Sequence, residues 1–416
     1  MIYLAFVSVL LFAFAALAWR DLRMALIVLA GLLPIYLLRF SYGPVPSTVL
    51  EGFILIALLI WIIQKKKWPF NPIPLFPWIM PGLLLLAAAC FGVVVAPDVF
   101  GALGVWKAYF VEPLIVFVLF ITVLKKKDWA LVIKALTVTT LVLSAAAILQ
   151  WLTGLGIPTP WDIELRTTGL FEYPNALGLF LVPIITLLIV RAFNAKRRNW
   201  LEITAIIAGI IAIYLSKTEA AYVAIPAALL VIFMMSSARK TLKLRVAGEA
   251  VLILIVLLAF VPAASKKLLL RDESGLVRQS QWSETTQMLL DNPAFGAGLN
   301  AYPEALEPYH DSTLYEIFQY PHTLIFNIWT ELGLLGIFAF AWLAWFVMEA
   351  AWKNRKNPEV VAIFAALLAM TIHGLVDVPY FKNDLSVLTW ILIAGIVLQT
   401  QKNSENKKPA KRKAQS

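Results

Sequence analysis

Cysteine and charge are both scarce in this chain. Its 416 residues include a single cysteine, Cys90, inside an apolar run, which excludes an intrachain disulfide and a thiolate metal cluster. Charged residues make up 14% of the sequence, whereas a soluble domain has about a quarter. Hydrophobic residues make up 61%, and the mean hydropathy is +0.81. This composition excludes an ordinary soluble domain and indicates a membrane protein.

We expect no cleavable signal peptide in this sequence. The first apolar run, 2–19, has no basic segment before it and is followed by Arg20-Asp21-Leu22-Arg23 instead of a small-residue cleavage site. We therefore expect this run to stay in the protein as the first membrane span.

Long apolar runs recur along the whole chain. Each has about 17 to 25 residues, enough to cross a hydrocarbon core of roughly 30 Å. The pattern predicts an all-α, polytopic transmembrane helical bundle of about 12–13 spans. The predicted spans are 2–19, 22–39, 47–64, 77–95, 105–124, 130–152, 176–195, 200–216, 219–237, 246–264, 323–350, 359–378 and 385–400.

The net charge of +10 raises the question of nucleic acid, but the positions of the charges argue against such a partner. Basic clusters follow the odd-numbered spans, so all fall on one side, which the positive-inside rule makes cytoplasmic. The C-terminus is then cytoplasmic, and we expect membrane lipids and no nucleic acid as partners. The clusters are 20–23, 65–67, 125–127, 196–198, 239–245, 353–356 and the tail from 402.

The longest break between apolar runs is 265–322, where polar and charged residues collect. Functional residues in membrane proteins are often carried by such a loop on a rigid scaffold. We predict a single transmembrane domain over 1–401 that holds 265–322 as a large extracytoplasmic loop. The polar tail 402–416 is predicted to be basic and disordered. Shorter outward loops are predicted at 40–46, 96–104, 153–175 and 379–384.

The large loop begins with a basic group and continues as a predicted helix. An amphipathic helix along the membrane interface is predicted for 276–290, and Arg278 and Trp282 share one face of it at i, i+4. Residues 291–298 end that helix in a turn that glycine permits. The basic residues are Lys266, Lys267 and Arg271, and the apolar residues are Leu276, Trp282, Met288, Leu289 and Leu290.

Several ionisable residues have two open interpretations. His322 follows Pro321 at the mouth of an apolar helix, where it is either a general base or an interfacial histidine bonded to backbone. His373 and Asp377 are predicted on one helix face at i, i+4, as a functional pair or a structural clamp.

Two smaller outward segments also contain ionisable residues. Arg166 is the one cation of 153–175 and is either functional or simply solvated. Lys217 and Glu219 lie in a turn between two spans, where they pair with each other or with loop residues. No set of His, Cys, Asp or Glu has metal-ligand spacing, so we expect no metal ion.

Together these residues resemble the O-antigen ligase and polymerase family of bacterial envelope glycosyltransferases. The resemblance lies in the order and spacing of four segments around one outward loop, over 166–377. The segments are Arg166 to Gly178 (R-x-x-G-x-F-x-x-P-N-x-x-G), Arg278 and Trp282 with 292–298 (R-x-x-x-W, then P-x-x-G-x-G), His322 with Glu331 to Gly336 (H, then E-x-G-x-x-G), and His373 with Asp377 (H-x-x-x-D).

The resemblance implies a GT-C-like bundle and metal-independent glycan transfer without a cofactor. The implied donor is a glycan on polyprenyl (undecaprenyl) diphosphate, and the acceptor is a hydroxyl of a glycan, lipid or protein. The implied location is the outer face of the bacterial cytoplasmic (inner) membrane, with a lateral groove between spans for the lipid tail.

The resemblance also implies residue roles. His322 would accept the proton of the attacking hydroxyl, and Arg278 would act beside it at the reacting diphosphate. Cations are needed there because negative charge develops on the leaving group. The implied diphosphate-binding residues are Arg166, Arg278, Lys217 and Arg271, and the implied supporting residues are Trp282, Asn175, Glu331, His373 and Asp377.

One departure from the family pattern concerns the turn at 216–222. Relatives carry an arginine in an S-x-S-R-x-x-(W/Y) motif, but here Glu219 stands at that position, with Lys217 two residues earlier. Either Lys217 supplies the charge or this phosphate contact is absent. Thirteen spans also exceed by one the twelve usual for the ligases.

The family resemblance leaves several functions open. A ligase, a repeat-unit polymerase and a protein O-oligosaccharyltransferase use the same donor and the same face of the membrane. A solute transporter is the alternative from another class, although no internal repeat is visible. A scaffolding membrane protein is a further alternative.

Overall fold

The computed structural model describes residues 2–43, 45–64, 76–311 and 315–401. Within these ranges the chain forms α-helices and one antiparallel β-hairpin, β1 Arg39–Tyr42 with β2 Val45–Thr48, so the all-α prediction is confirmed. The first nine helices are α1 Ile2–Arg20, α2 Leu22–Gly31, α3 Val49–Ile63, α4 Phe76–Val95, α5 Val99–Trp106, α6 Glu112–Val123, α7 Trp129–Thr153, α8 Pro174–Asn194 and α9 Trp200–Ser216. The others are α10 Glu219–Met235, α11 Lys240–Phe260, α12 Pro262–Leu268, α13 Glu273–Asp291, α14 Tyr302–Leu306, α15 Leu324–Lys353, α16 Pro358–His373 and α17 Asn383–Thr400.

The helices are those of a polytopic membrane protein. Seven helical segments of the described chain are long and apolar enough to cross a membrane, or eight if the pair 240–260 and 265–291, bent by 110°, forms one span. Five more apolar helices are shorter, at 10–17 residues. Each predicted span contains one of these helices, while the number of crossings stays a prediction. The predicted tail 402–416 lies outside the described residues.

Two predicted spans end earlier than expected. The span predicted for 22–39 stops at Gly31 and continues as a short 3₁₀ helix, Leu33–Leu37, and the β-hairpin. Pro34 explains this end, because proline lacks an N–H and clashes with the carbonyl four residues before it. The span predicted for 359–378 stops at His373, where Gly374 caps α16.

The centre of the bundle is formed by α8 and α17, both of which are buried along most of their length. Helix α8 packs against α16 and α9, and α17 packs against α6 and α16. Helix α4 lies against α15, and α7 against α9. The bundle thereby brings the start of α8, the start of α15 and the end of α16 together, where the candidate site lies.

The polar segment 265–322 has a small core of its own. Met288 and Leu289 of α13 pack with Tyr302 and Leu306 of α14. The helix predicted for 276–290 is present as α13; Leu276 and Leu290 are outside this small core, at 47% and 68% exposed, and the placement of the helix along the membrane interface stays a prediction. Polar side chains of α13 are buried instead because they bond to the segment that follows it; they are Gln281, Glu284 and Thr285.

Helix α15 is broken at Gly333, which has φ +65° and ψ −167°, and the turn at 294–300 docks into this break. The backbone N–H of Leu334 donates to the carbonyl of Ala294 at 3.1 Å. The carboxylate of Glu331 accepts from the N–H of Asn300 at 2.7 Å. A Cβ on residue 333 would lie 2.2 Å from the Ala294 oxygen, so only glycine fits.

We expect Gly333→Ala to lower the free energy of unfolding by about 1–3 kcal/mol or more. Alanine is strained at this positive φ, and its Cβ would collide with the carbonyl of Ala294. A lowered thermal unfolding midpoint in detergent is the readout. The matched control is Gly104→Ala in α5, where a Cβ would meet nothing within 4 Å. Equal midpoints for the two variants would contradict the role of the break.

Candidate active site

The turn that carries His322 is held by helix α13. The side-chain amide of Gln281 donates to the carbonyl of Tyr320 at 2.9 Å, and the indole N–H of Trp282 donates to the carbonyl of Pro321 at 2.8 Å. The predicted supporting residue Trp282 therefore acts on the backbone directly before His322. Gln281 does the same, although no sequence motif singled it out.

The backbone of His322 is strained and is held from a second side. Its φ is +47°, in the left-handed region that few residues other than glycine adopt. The N–H of Leu324, two residues later, donates to the carbonyl of Gly374 at 2.7 Å, which ties this turn to the end of α16. Such a conformation persists only where the surroundings determine it, and it is found preferentially at functional sites.

The imidazole of His322 is largely enclosed. The rings of Phe318 and Tyr320 approach it edge-on, at 5.1 and 4.8 Å between centroids. Nδ1 is buried and has no hydrogen-bond partner among the described residues. Burial lowers the pKa of His322, nearby Asp377 opposes this shift, and Arg278 adds to it. The ring is therefore neutral at pH 7 and able to accept a proton.

Arg278 lies on α13 next to the histidine turn. One guanidinium nitrogen, Nη1, donates to the hydroxyl of Ser274 at 2.7 Å. Its Nε is buried and has no partner in the described part of the chain. A buried donor without a partner is unusual in proteins, so this N–H is available to an anion.

Arg166 is linked to Asp377 through a chain of hydrogen bonds. Its Nη2 donates to Oδ1 of Asn175 at 3.3 Å, and Nδ2 of Asn175 donates to Oδ2 of Asp377 at 3.2 Å. Its Nε donates to the carbonyl of Ser216 at 3.3 Å. Asn175 sits at the start of α8. The structure thus joins three segments that are far apart in sequence.

The predicted pairing of His373 with Asp377 is wrong. His373 is the last residue of α16, and Asp377 lies in the turn beyond Gly374, so the two are not on one helix face. Both ring nitrogens of His373 are buried without a hydrogen-bond partner among the described residues. The carboxylate of Asp377 accepts from Asn175 and from the N–H of Val378 instead.

Lys217 and Glu219 pair with loop residues and not with each other. Nζ of Lys217 donates to the carbonyl of Glu164 at 2.9 Å, and Glu219 forms an ion pair with Lys267. Arg271 is exposed in the turn before α13. Of the predicted diphosphate-binding residues, Arg166 is linked to Asp377 through Asn175, and Arg278 is close enough to His322 to lower the pKa of its imidazole.

Glu331, predicted as a supporting residue, lies in the break of α15. It is buried, and its hydrogen bond to the Asn300 backbone fixes the turn at 294–300 within the polar segment. This contact is separate from the turn that carries His322.

The loop that carries Arg166 is organised by Gln150, which sequence reasoning missed. From the end of α7, its Oε1 accepts from the N–H groups of Thr168 and Gly169, both at 2.9 Å. Its Nε2 donates to the carbonyls of Gly156 and Gly169, both at 2.8 Å. A polar residue near the end of an apolar run is the only sequence signal for this role.

We expect Gln150→Ala to loosen this loop, because each buried backbone group left unpaired costs about 1–3 kcal/mol. Amide hydrogen exchange at 168–169 should become faster, and the unfolding midpoint should fall. The control is Gln287→Ala, an exposed glutamine of α13. Unchanged exchange at 168–169 would show that the loop is held by other contacts.

A comparison with protein families bears on this site. Residues 203–341, about a third of the chain, match the family model described as O-antigen ligase. Over these residues the chain is similar to the O-antigen ligase family. The resemblance predicted from sequence is thereby confirmed, and the protein is at a coarse level a membrane glycosyltransferase of ligase or polymerase type. No curated protein matches the sequence.

The region matched to the O-antigen ligase family contains part of the site. Arg278, Trp282, His322 and Glu331 lie inside the matched residues. Arg166, Asn175, His373 and Asp377 lie outside them, and hydrogen bonds of Asn175 connect Arg166 with Asp377.

Proposed function

We propose that the protein transfers a glycan from a polyprenyl diphosphate donor to an acceptor hydroxyl at the outer face of the cytoplasmic membrane, without a metal ion. The observation that carries this proposal is that the enclosed imidazole of His322 lies near Arg278 and Asp377, and that Asn175 links Asp377 to Arg166. His322 would accept the proton of the acceptor hydroxyl, and Arg278 and Arg166 would offer fixed positive charge to an anionic leaving group.

The proposed reaction is a displacement at the anomeric carbon of the donor sugar. The acceptor oxygen forms a bond to that carbon, and the bond from the carbon to the phosphate oxygen breaks, with its electron pair leaving on the diphosphate. His322 takes the proton of the attacking hydroxyl. Arg278 and Arg166 stabilise the charge that develops on the diphosphate, and arginine suits this role because its planar fork matches phosphate oxygens.

We further propose that the chain is one transmembrane domain over 1–401 with 265–322 on the outer side and the C-terminus in the cytoplasm. Contacts of predicted outward loops with the span ends next to other outward loops support this arrangement. Arg39 forms an ion pair with Glu172 at 3.4 Å, and the N–H of Leu299 donates to the carbonyl of Gly92 at 3.0 Å. Loops that contact each other at one end of a bundle share one side of the membrane.

The function is tested by comparing host cells that lack the protein with cells that express it. We expect the cells without it to accumulate polyprenyl-linked glycan and to lose the mature product. Accumulated single repeat units would indicate a polymerase, full-length chains a ligase, and loss of glycan from a protein would indicate a protein glycosyltransferase. A change in uptake of a solute with unchanged glycan pools would instead support the transporter alternative.

A further inference from the structure

A second cluster of polar and aromatic side chains lies beside His322 in the polar segment. Glu284 of α13 is 3% exposed, and its Oε2 accepts from Nδ1 of His310 at 3.0 Å and from the hydroxyl of Tyr315. Its other oxygen, Oε1, is buried and has no hydrogen-bond partner among the described residues. The carboxylate therefore holds an imidazole and a phenol in place and has unused capacity to accept a hydrogen bond.

An aromatic row connects this carboxylate to the proposed proton acceptor. The rings of His310 and Tyr315 are 4.8 Å apart, and those of Tyr315 and Phe318 are stacked at 5.5 Å with an angle of 19°. Phe318 then contacts the edge of His322 at 5.1 Å. Phe318 is 36% exposed, so the row has a face open to a ligand.

The chemistry of this row suits a neutral sugar. Stacked aromatic faces pack against the C–H groups of a pyranose ring, and imidazole and phenol groups bond to its hydroxyls. The negative charge of Glu284 opposes an anionic diphosphate in the same place. An anionic diphosphate is instead attracted to the guanidinium of Arg278.

We propose that Glu284, His310, Tyr315 and Phe318 form the subsite for the acceptor sugar, which they present to His322. This inference rests on the proposed glycan transfer and adds to it the residues that select the acceptor. Glu284 is a positioning residue in this arrangement, because it orients His310 and Tyr315, whose rings contact the sugar.

Initial rates of the full-length protein in lipid nanodiscs test the proposal. The donor is the polyprenyl diphosphate-linked glycan extracted from the host, and the acceptor is the unglycosylated envelope fraction of cells that lack the protein. We expect Phe318→Ala and Glu284→Gln to raise the acceptor KM about tenfold, the equivalent of about 1.4 kcal/mol. The donor KM should remain unchanged. Phe295→Ala, a substitution of a 57% exposed phenylalanine in the same segment, is the matched control.

The outcomes separate this inference from the proposed function. If the wild-type protein forms no product, glycan transfer itself is wrong. If the wild type is active and Phe318→Ala raises only the donor KM, the row binds the donor glycan and the acceptor subsite is overturned; unchanged KM values overturn it as well. Where Glu284→Gln does not fold, Phe318→Ala decides the question, because its side chain reaches the surface.

Discussion

Replacing His322 by alanine is expected to reduce the rate of glycan transfer by about 10²–10⁴-fold, the usual contribution of a positioned general base. The imidazole is enclosed by Phe318 and Tyr320, and its lowered pKa keeps it neutral at physiological pH. Alanine removes the proton acceptor and leaves the arginines in place. Single-turnover rates with extracted donor and acceptor measure this effect directly.

A second substitution separates the chemistry of His322 from its backbone conformation. Residue 322 has φ +47°, which asparagine tolerates better than alanine does. His322→Asn should therefore unfold at the same temperature as the wild type and still lose transfer activity. If His322→Asn were active, the histidine would be required for the shape of its turn and not for proton transfer.

Removing the charge of Arg278 is expected to lower kcat by about 10²–10³-fold, the effect of losing one fixed donor to a developing negative charge. Arg278→Gln tests this expectation, and Arg278→Lys should retain part of the rate because it keeps the charge and loses the planar fork. Arg355→Gln, at an exposed arginine over the Trp352 ring, serves as the control for a general loss of positive charge.

The pH dependence of the transfer rate in the wild type, Arg278→Gln and Asp377→Asn provides an independent readout. Transfer needs the neutral form of His322, so the rate should fall as pH decreases through its pKa, which burial places below the usual 6.5. Arg278 lowers this pKa and Asp377 raises it. The acid limb should therefore move to higher pH in Arg278→Gln and to lower pH in Asp377→Asn. Identical acid limbs in the three proteins would mean that a different group titrates.

Much of the site was predictable because its residues lie in recognisable local patterns. Arg278 and Trp282 were placed on one helix face by their spacing, and α13 carries both. A span was predicted to begin at residue 176, and α8 begins at Pro174. Such predictions succeed because helix spacing and helix starts depend on neighbours in sequence.

Other site features were not predictable, because they depend on partners far away in the chain. The pattern of His373 and Asp377 suggested one helix face, yet α16 ends between them. A Cβ on Gly374, the residue that ends α16, would lie 3.0 Å from Leu324, so packing against another helix shapes this end. Gln150 likewise has a clear role only when its four backbone partners are seen around it.

By itself the sequence determined the class of this protein, the positions of its helices and the resemblance to the O-antigen ligase family, because apolar run length and short motifs are local properties. Only the tertiary structure decided which polar residues meet. Asn175 and Asp377 are 202 residues apart in sequence, and they bond because α8 packs against α16. The same packing links Arg166 to Asp377 through Asn175, whereas Arg278 is placed by α13, which packs against α15.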